Sequence, residues 1–220
     1  MGSNFMIAKV AFSQDSLNEK TLNDSNHNSK KNNNKIFILD WDDTLFSTSF
    51  FINKNKILTV EEQNSFEKLG ESVTKFINLS KSFGTVFIIT NSTKKWLYKT
   101  AFNYLKLKEN LFDGVYIISA REKFNDKIVP KFMWKGLIFK QLNKFFEYCD
   151  SIVCISDSIN DINEGKKIKT IFKNINLSTI KFIDKPSPSQ NKKEIDLIIE
   201  NFHNILNSNY NMILEEENMY

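Results

Sequence analysis

Short apolar runs alternate with amphipathic segments along most of this chain. Four runs are continuously apolar, which is typical of strands buried on both faces of a parallel sheet. These predicted strands cover residues 36–39, 85–90, 114–119 and 151–156, with shorter edge candidates at 169–172 and 180–183. Apolar residues at helical spacing predict helices over 60–83, 93–107 and 194–206, and a further helical pattern runs from 134 to 146.

This alternation predicts the fold class. Strands that alternate with helices favour an α/β fold, with a parallel sheet covered by helices on both faces. We therefore expect a three-layer α/β/α, Rossmann-like domain with a sheet of about five strands. Residues 35–210 are long enough for one such domain with a full hydrophobic core.

The two ends of the chain differ from this domain in composition. Residues 1–34 are largely polar and are expected to be a disordered N-terminal segment, although residues 5–12 have apolar positions that would suit a short strand. Residues 211–220 include Glu215, Glu216 and Glu217 and are expected to be a solvated acidic tail.

The bulk composition excludes several classes of function. The chain has 41% hydrophobic residues and 20 Phe, its net charge is +4, and its lysines are dispersed among carboxylates. The sequence has no stripe of basic and aromatic residues of the kind that would predict a nucleic-acid-binding surface. No apolar run approaches the roughly 18 residues needed to span a bilayer, so we expect a cytoplasmic protein without a membrane partner.

Histidine and cysteine are scarce. The two histidines, His27 and His203, fall in the polar head and in a predicted helix, which argues against Ser-His chemistry and a His-rich zinc site. Cys149 and Cys154 lie five positions apart, at the start of and inside a predicted strand. Their side chains are not expected to form a disulfide, and a reducing compartment fits.

Three carboxylates directly follow the first predicted strand. Asp40, Asp42 and Asp43 lie within four positions, and carboxylates are costly at a buried strand end unless something pairs with them. Mg²⁺ is a natural partner because it takes oxygen ligands, usually including one or two carboxylates. A carboxylate held at such a position can also be a nucleophile that forms an aspartyl-phosphate. The alternative is an ordinary acidic turn.

Polar residues end the other strands too. Thr90, Ser119 and Asp157 all lie at or just beyond the carboxyl ends of predicted strands. In parallel α/β sheets, ligands bind outside those ends, where the strand order reverses. The sequence therefore groups these residues with Asp40 at one edge of the sheet.

Four short motifs follow one another between residue 36 and about residue 161: a strand with DxD, a strand with Thr90, the lysine Lys135 and a strand with DxxxD (Asp157 and Asp161). This order resembles that of the haloacid dehalogenase (HAD) superfamily of aspartate-nucleophile phosphohydrolases. The segment ILDWDDTLF is also similar to the first motif of a capless HAD subgroup seen in plants and protists. Each motif is short, but all four in this order are specific.

The resemblance implies roles for individual residues. Asp40 would be the nucleophile, and Asp42 the general acid and base, with its backbone carbonyl on the metal. Thr90 and the Asn91 backbone N–H would bind the phosphoryl group, and Asp157 would be the outer Mg²⁺ ligand. Asp43 is expected to be a turn residue.

Three positions keep alternatives open. Lys135 is the preferred catalytic and phosphate-binding lysine, but Lys131 and Lys127 compete with it. Asp161 either supports Lys135 or reaches the metal through water, while an ordinary acidic residue at a helix N-terminus is the simpler interpretation. Arg121, the only arginine, is a candidate substrate contact or a structural surface residue.

The function implied is a Mg²⁺-dependent phosphomonoester hydrolase. The segment between Asp42 and Thr90 has room for a flap and one helix, so we expect no substantial cap domain. By resemblance, an open site suits large substrates such as phosphoproteins. A small-metabolite phosphatase, a phosphotransferase and a non-catalytic scaffold of the same fold are the alternatives, and the oligomeric state stays open.

Overall fold

A computed structural model describes residues 35–55 and 57–215, and their central element is a parallel sheet. Within these residues the sheet has six strands in the order β3-β2-β1-β4-β5-β6, and every neighbouring pair is parallel. The strands are β1 (Lys35–Leu39), β2 (Gly84–Thr90), β3 (Val115–Ser119), β4 (Ser151–Ser156), β5 (Asn176–Lys181) and β6 (Asn211–Ile213).

Helices connect the strands. They are α1 (Thr48–Asn53), α2 (Val60–Phe83), α3 (Lys94–Asn103), α4 (Ala120–Lys123), α5 (Trp134–Gln141), α6 (Asn143–Phe146), α7 (Ile159–Ile171), α8 (Pro188–Glu200) and α9 (Phe202–Asn207). Two short 3-10 helices cover Glu109–Phe112 and Lys131–Met133. Among the helices of the described residues, none is both long enough and apolar enough to cross a bilayer.

The sheet separates two hydrophobic clusters, which makes the domain three-layered. Phe37 and Leu39 of β1 point into a cluster with apolar residues of α2, α3, α8 and α9. Ile36 and Ile38 point into the opposite cluster, which contains residues of α5, α6 and α7. Successive side chains of a strand alternate between faces, so a continuously apolar strand must be covered on both sides. The predicted α/β/α fold class is confirmed.

Local sequence signals explain where the long helices begin. Thr59 and Glu62 form a capping box at the start of α2. Ser187 and Gln190 form a second one at the start of α8, where Pro188 occupies the first turn. In both cases two backbone N–H groups that lack helical partners are satisfied by side chains.

Several predicted boundaries were wrong. Residues 169–171 form the end of α7 and Phe172 is its C-cap, because Ile162, Gly165 and Ile168 form a buried row at helical spacing that fixes this segment as a helix. The candidate strand at 180–183 lies earlier, as Asn176–Lys181. The predicted helix at 93–107 is shorter and ends at Asn103.

The C-terminal part also differs from the prediction. The closing helix predicted over 194–206 begins earlier, at the capping box, and breaks at Asn201 into α8 and α9. The expected tail contributes β6, so the sheet has six strands instead of about five. Three residues at a sheet edge carry too little hydrophobic pattern to be recognised from sequence. The expectations for residues 1–34 and for residues 216–220 lie outside the described residues.

The insertions after the first two motif strands are small. Between Asp42 and Thr90, the described residues contain only α1, α2 and the start of β2. Between Thr90 and Lys135 they contain α3, β3, α4 and the two 3-10 helices. Neither insertion folds as a separate cap domain in the part of the chain that the structure describes.

We predict that Gly70→Ala destabilises the protein by about 2–4 kcal/mol. A Cβ at Gly70 would lie 1.9 Å from the backbone oxygen of Leu105, so α2 and the segment after α3 would have to move apart. In a helix, alanine is normally more favourable than glycine by about 1 kcal/mol. A destabilising effect of Gly70→Ala would therefore indicate this close approach. Urea unfolding of the variant measures it.

The matched control is Glu71→Ala, at the exposed neighbouring position of α2. It should change the free energy of unfolding by no more than about 0.5 kcal/mol. A stabilised Gly70→Ala protein would show that the two segments do not approach as closely as described.

Candidate active site

The carboxyl ends of three neighbouring strands form one polar edge of the sheet. β1 lies between β2 and β4. Asp40 follows β1, Thr90 ends β2, and Ser156 and Asp157 lie at the end of β4. The chain runs from β1 to β2 on one side and returns to β4 on the other, so this edge is the point where the strand order reverses.

Lys135 is buried between two carboxylates at this edge. It lies in the first turn of α5 and is only 4% exposed. Its Nζ is 2.8 Å from Asp40 Oδ2 and 2.5 Å from Asp161 Oδ2. Ser156 Oγ donates to Asp161 Oδ2 at 2.9 Å, which adds a neutral donor to the cluster.

Burial and the contacts between Lys135 and its carboxylates shift the pKa values of this cluster in opposite directions. Burial raises the pKa of Asp40 to about 7, and Lys135 acts in the opposite direction. Burial alone would lower the pKa of Lys135, but Asp40 and Asp161 together raise it well above its usual value. Lys135 is therefore held as an ammonium ion. A further positive charge near Asp40 would lower the pKa of its carboxyl group and favour the ionised form.

Asp42 has different surroundings. Its Oδ1 accepts hydrogen bonds from Thr48 Oγ1 at 2.6 Å and from Trp96 Nε1 at 2.9 Å. Its Oδ2 accepts one from Thr90 Oγ1 at 2.9 Å. The two carboxylates of the DxD motif thus face separate sets of partners, a lysine for Asp40 and neutral donors for Asp42.

A tight turn follows the two aspartates. Asp43 adopts a left-handed backbone conformation with φ of 55°, which aspartate tolerates better than most residues. Its carboxylate accepts hydrogen bonds from the backbone N–H and the hydroxyl of Ser49. Burial raises its pKa, with the Ser49 bonds opposing. Asp43 is therefore a turn residue in this structure.

Two long-range hydrogen bonds hold this turn in place. Thr44 Oγ1 accepts a hydrogen bond from the Asp157 N–H at 3.0 Å, which ties the turn to the end of β4. The buried Asn191 of α8 donates from Nδ2 to the Thr44 carbonyl at 2.6 Å. The turn therefore adds to the pairing of β1 with β4 in fixing Asp157 relative to Asp40.

The donor set at this edge suits a hard cation. Burial, followed by repulsion from Asp40, raises the pKa of Asp157 to about 8. No group of three or more His, Cys, Asp or Glu side chains in the described residues converges into a metal site. The carboxylates of Asp40 and Asp157 and the Asp42 carbonyl are oxygen donors of the type that Mg²⁺ takes.

The other predicted site residues lie around this centre. Asp161 contacts Lys135, as in the first of its two alternatives. Lys131 is exposed and 3.9 Å from Asp126, and Lys127 is also exposed. Arg121 Nε donates to the Asn91 carbonyl at 3.2 Å, so this arginine braces the backbone after β2.

Sequence reasoning missed Thr48, Trp96 and Asn191. Thr48 lies six positions after Asp42, and Trp96 lies six positions after Thr90. Each sits in the first turn of a helix that follows a motif, and this proximity is the signal that would have suggested them. Asn191 has no such signal because it is 147 residues from the turn that it holds.

Comparisons with known proteins add little. No family model and no curated protein matches this chain. The Legionella pneumophila effector Ceg4 has 16% identity and a TM-score of 0.44, over 76% of this chain and 93% of its own. TubZ of Clostridium botulinum phage c-st has 11% identity and a TM-score of 0.38, over 83% and 52%. Neither likeness is close enough to carry a functional argument.

We predict that Lys135→Met destabilises the protein by about 3–5 kcal/mol, because Asp40 and Asp161 would lose the cation that they share. Urea unfolding near neutral pH measures the change. Lys131→Met is the matched control, since its side chain is 58% exposed, and it should change stability by no more than about 0.5 kcal/mol. Equal effects of the two substitutions would contradict this account of Lys135.

Glu194 of α8 is a further buried acid. Its side chain is fully buried, and its Oε1 accepts a hydrogen bond from the Ile183 N–H at 2.6 Å. Burial raises its pKa from 4.5 to about 8. Because the folded protein holds this proton more tightly than the unfolded chain, the stability contribution of Glu194 falls as the pH rises between these two values.

We therefore predict that Glu194→Gln becomes stabilising relative to the wild type as the pH is raised. The difference in the free energy of unfolding should grow by about 1–3 kcal/mol from about pH 5 to about pH 8. Denaturant unfolding of both proteins across this range gives the difference directly. A difference that does not vary with pH would refute a raised pKa at Glu194.

Proposed function

We propose that this protein is a Mg²⁺-dependent phosphomonoester hydrolase of the HAD type, acting through an aspartyl-phosphate on Asp40. The observation that carries the proposal is the buried contact between Asp40 and Lys135 at the edge where the strand order reverses. Asp42, two positions later, supplies a second carboxylate beside Thr90. This pair of carboxylates in unlike surroundings suits a nucleophile and a proton donor.

The first half of the reaction transfers the phosphoryl group to Asp40. Lys135 offsets the repulsion between the carboxylate and the negatively charged phosphate. Thr90 Oγ1 and the Asn91 N–H donate to phosphoryl oxygens. A carboxylate oxygen of Asp40 attacks phosphorus in line, the bond to the leaving oxygen breaks, and Asp42 gives that oxygen its proton.

The second half releases phosphate. Asp42, now ionised, accepts a proton from a water molecule as that water attacks the phosphorus of the aspartyl-phosphate. The bond to Asp40 breaks, and inorganic phosphate and the original carboxylate are formed. Asp42 regains its proton in this step, so both residues return to their starting states.

The metal supports this chemistry through charge. The carboxylates of Asp40 and Asp157 and the carbonyl of Asp42 are the groups that would hold Mg²⁺. When bound, it supplies Lewis-acid stabilisation of the phosphoryl oxygens and favours the ionised form of Asp40.

Phosphoprotein is the substrate class that we propose first. The insertions beside the site are small, so a large substrate could approach the polar edge. The segment just before Lys135 exposes apolar side chains, with Ile128 at 68% and Phe132 at 70%. Exposed apolar residues beside a site are suited to contact with a protein partner. A cytoplasmic location remains a prediction, supported by the free thiols of Cys149 and Cys154.

We expect Mg²⁺-dependent hydrolysis of para-nitrophenyl phosphate that falls by at least about 10³-fold in Asp40→Asn, since an amide is not a nucleophile for phosphorus. The variant should fold, because Lys135 keeps its contact with Asp161. Steady-state release of nitrophenolate with and without the metal measures the activity, and circular dichroism checks the fold.

Asp126→Asn is the matched carboxylate-to-amide control, because Asp126 is exposed and outside the site. It should retain the activity of the wild type. An Asp40→Asn protein as active as the wild type, or hydrolysis that ignores Mg²⁺, would refute the proposed function.

A further inference from the structure

The Asp42 carboxylate is held by three hydrogen-bond donors that come from three different elements. Thr48 lies in α1, Trp96 in α3 and Thr90 at the end of β2. Thr48 and Trp96 both donate to Oδ1, and Thr90 alone donates to Oδ2. The two oxygens are therefore not equivalent.

The indole group makes this difference strict. An indole Nε1–H is a donor only, so the oxygen that it contacts must act as an acceptor. Thr48 Oγ1 also lies 2.6 Å from Oδ1, so two groups hold Oδ1 whereas a single hydroxyl contacts Oδ2. Of the two oxygens, Oδ2, on the side of Thr90, is therefore the better placed to carry the proton that Asp42 delivers in the proposed reaction.

Trp96 is itself fixed in place. Its backbone N–H donates to Thr93 Oγ1 in the cap of α3 at 3.1 Å. Its ring packs edge-on against Phe46, with the ring centroids 6.3 Å apart, and the centroid of Phe51 lies 6.1 Å away. A half-buried indole held by packing and by the helix start is a rigid donor, unlike a long flexible side chain.

Thr90 benefits from the same arrangement. Its Oγ1 already accepts a hydrogen bond from the Ser92 N–H at 2.9 Å. When Oδ2 of Asp42 carries the proton, the Thr90 hydroxyl no longer donates to it and its hydrogen is free for a phosphoryl oxygen. Fixing Oδ1 on Trp96 and Thr48 thus serves both the proton donor and the phosphate contact.

We propose that Trp96, together with Thr48, is a positioning residue that turns Oδ2 of Asp42 toward the leaving oxygen by holding Oδ1. This inference rests on the proposed function. Neither residue needs to touch the phosphate or Asp40; each acts through Asp42. Losing the N–H of Trp96 should therefore weaken proton transfer to the leaving group without weakening the attack of Asp40.

The test uses a series of aryl phosphates whose leaving phenols range from weakly to strongly acidic. A strongly acidic phenol departs without a proton, whereas a weakly acidic one depends on general acid catalysis. In Trp96→Phe, kcat/KM should fall by about 10- to 100-fold for the least acidic phenols and by about 2-fold or less for the most acidic. The dependence of rate on phenol acidity becomes steeper.

Trp134→Phe is the matched control. It also removes an indole N–H, which donates to the Val129 carbonyl at 2.8 Å and makes no contact with Asp42. If kcat/KM falls in this variant, it should fall by the same factor for every aryl phosphate of the series. A purely structural effect of the Trp96 substitution would show that same uniform pattern.

Thr48 gives a second pair of variants should Trp96→Phe fold poorly. Thr48→Val keeps the volume of the side chain but loses the donor, and should steepen the dependence on the leaving group. Thr48→Ser keeps the hydroxyl and should restore the wild-type dependence. Together the two variants separate the hydrogen bond from packing.

The outcomes separate the two levels of the argument. Hydrolysis by the wild type with uniform losses in Trp96→Phe and Thr48→Val would overturn this inference and leave the proposed function standing. A folded wild-type protein that hydrolyses no substrate of the series with Mg²⁺ would overturn both. A steeper dependence in the two variants alone is the expected result.

Discussion

The site depends on the buried ion pairs that Lys135 forms with two carboxylates. A lysine that is 4% exposed is tolerable only with close partners, and it has two, Asp40 after β1 and Asp161 in α7. Its contacts join the start of α5 to both of these elements. The ion cluster therefore fixes the relative positions of the parts of the chain that carry the candidate chemistry.

The same cluster leaves negative charge in excess. With Asp157 close by, three acidic groups surround the single ammonium of Lys135, so negative charge is in excess when all three are ionised. The raised pKa values of Asp40 and Asp157 are the response of the protein to burial and to this excess. A divalent cation would offset this excess, which supports the Mg²⁺ of the proposed reaction.

Two aspartates only two positions apart are given unlike environments by the elements around them. Asp40 faces a cation from α5, whereas Asp42 faces hydroxyl groups and an indole from β2, α1 and α3. The turn at Asp43 follows this pair, and the bond from Asn191 to the Thr44 carbonyl holds the turn. Distinct roles for paired carboxylates follow from such differences in surroundings, not from the residue type.

The sheet and its polar edge are readable from the amino-acid order alone. Strands buried on both faces require nearly continuous apolar runs, and Asp40, Thr90 and Asp157 each lie at or just after the end of such a run. Their convergence then follows from parallel strand topology. The edge strand β6 and the break between α8 and α9 were not readable, because three residues or a single Asn201 leave no periodic signal.

Which side chains complete the site is set by long-range packing. Lys135 reaches Asp40 from the first turn of α5, whereas Lys131 lies in the preceding 3-10 helix with an exposed side chain, and a lysine-rich sequence does not encode that difference. The contact of Trp96 with Asp42 spans 54 positions, and that of Asn191 with Thr44 spans 147. Local patterns specify elements and their buried faces, whereas contacts between elements depend on how those faces pack, so these partners emerge only in the folded chain.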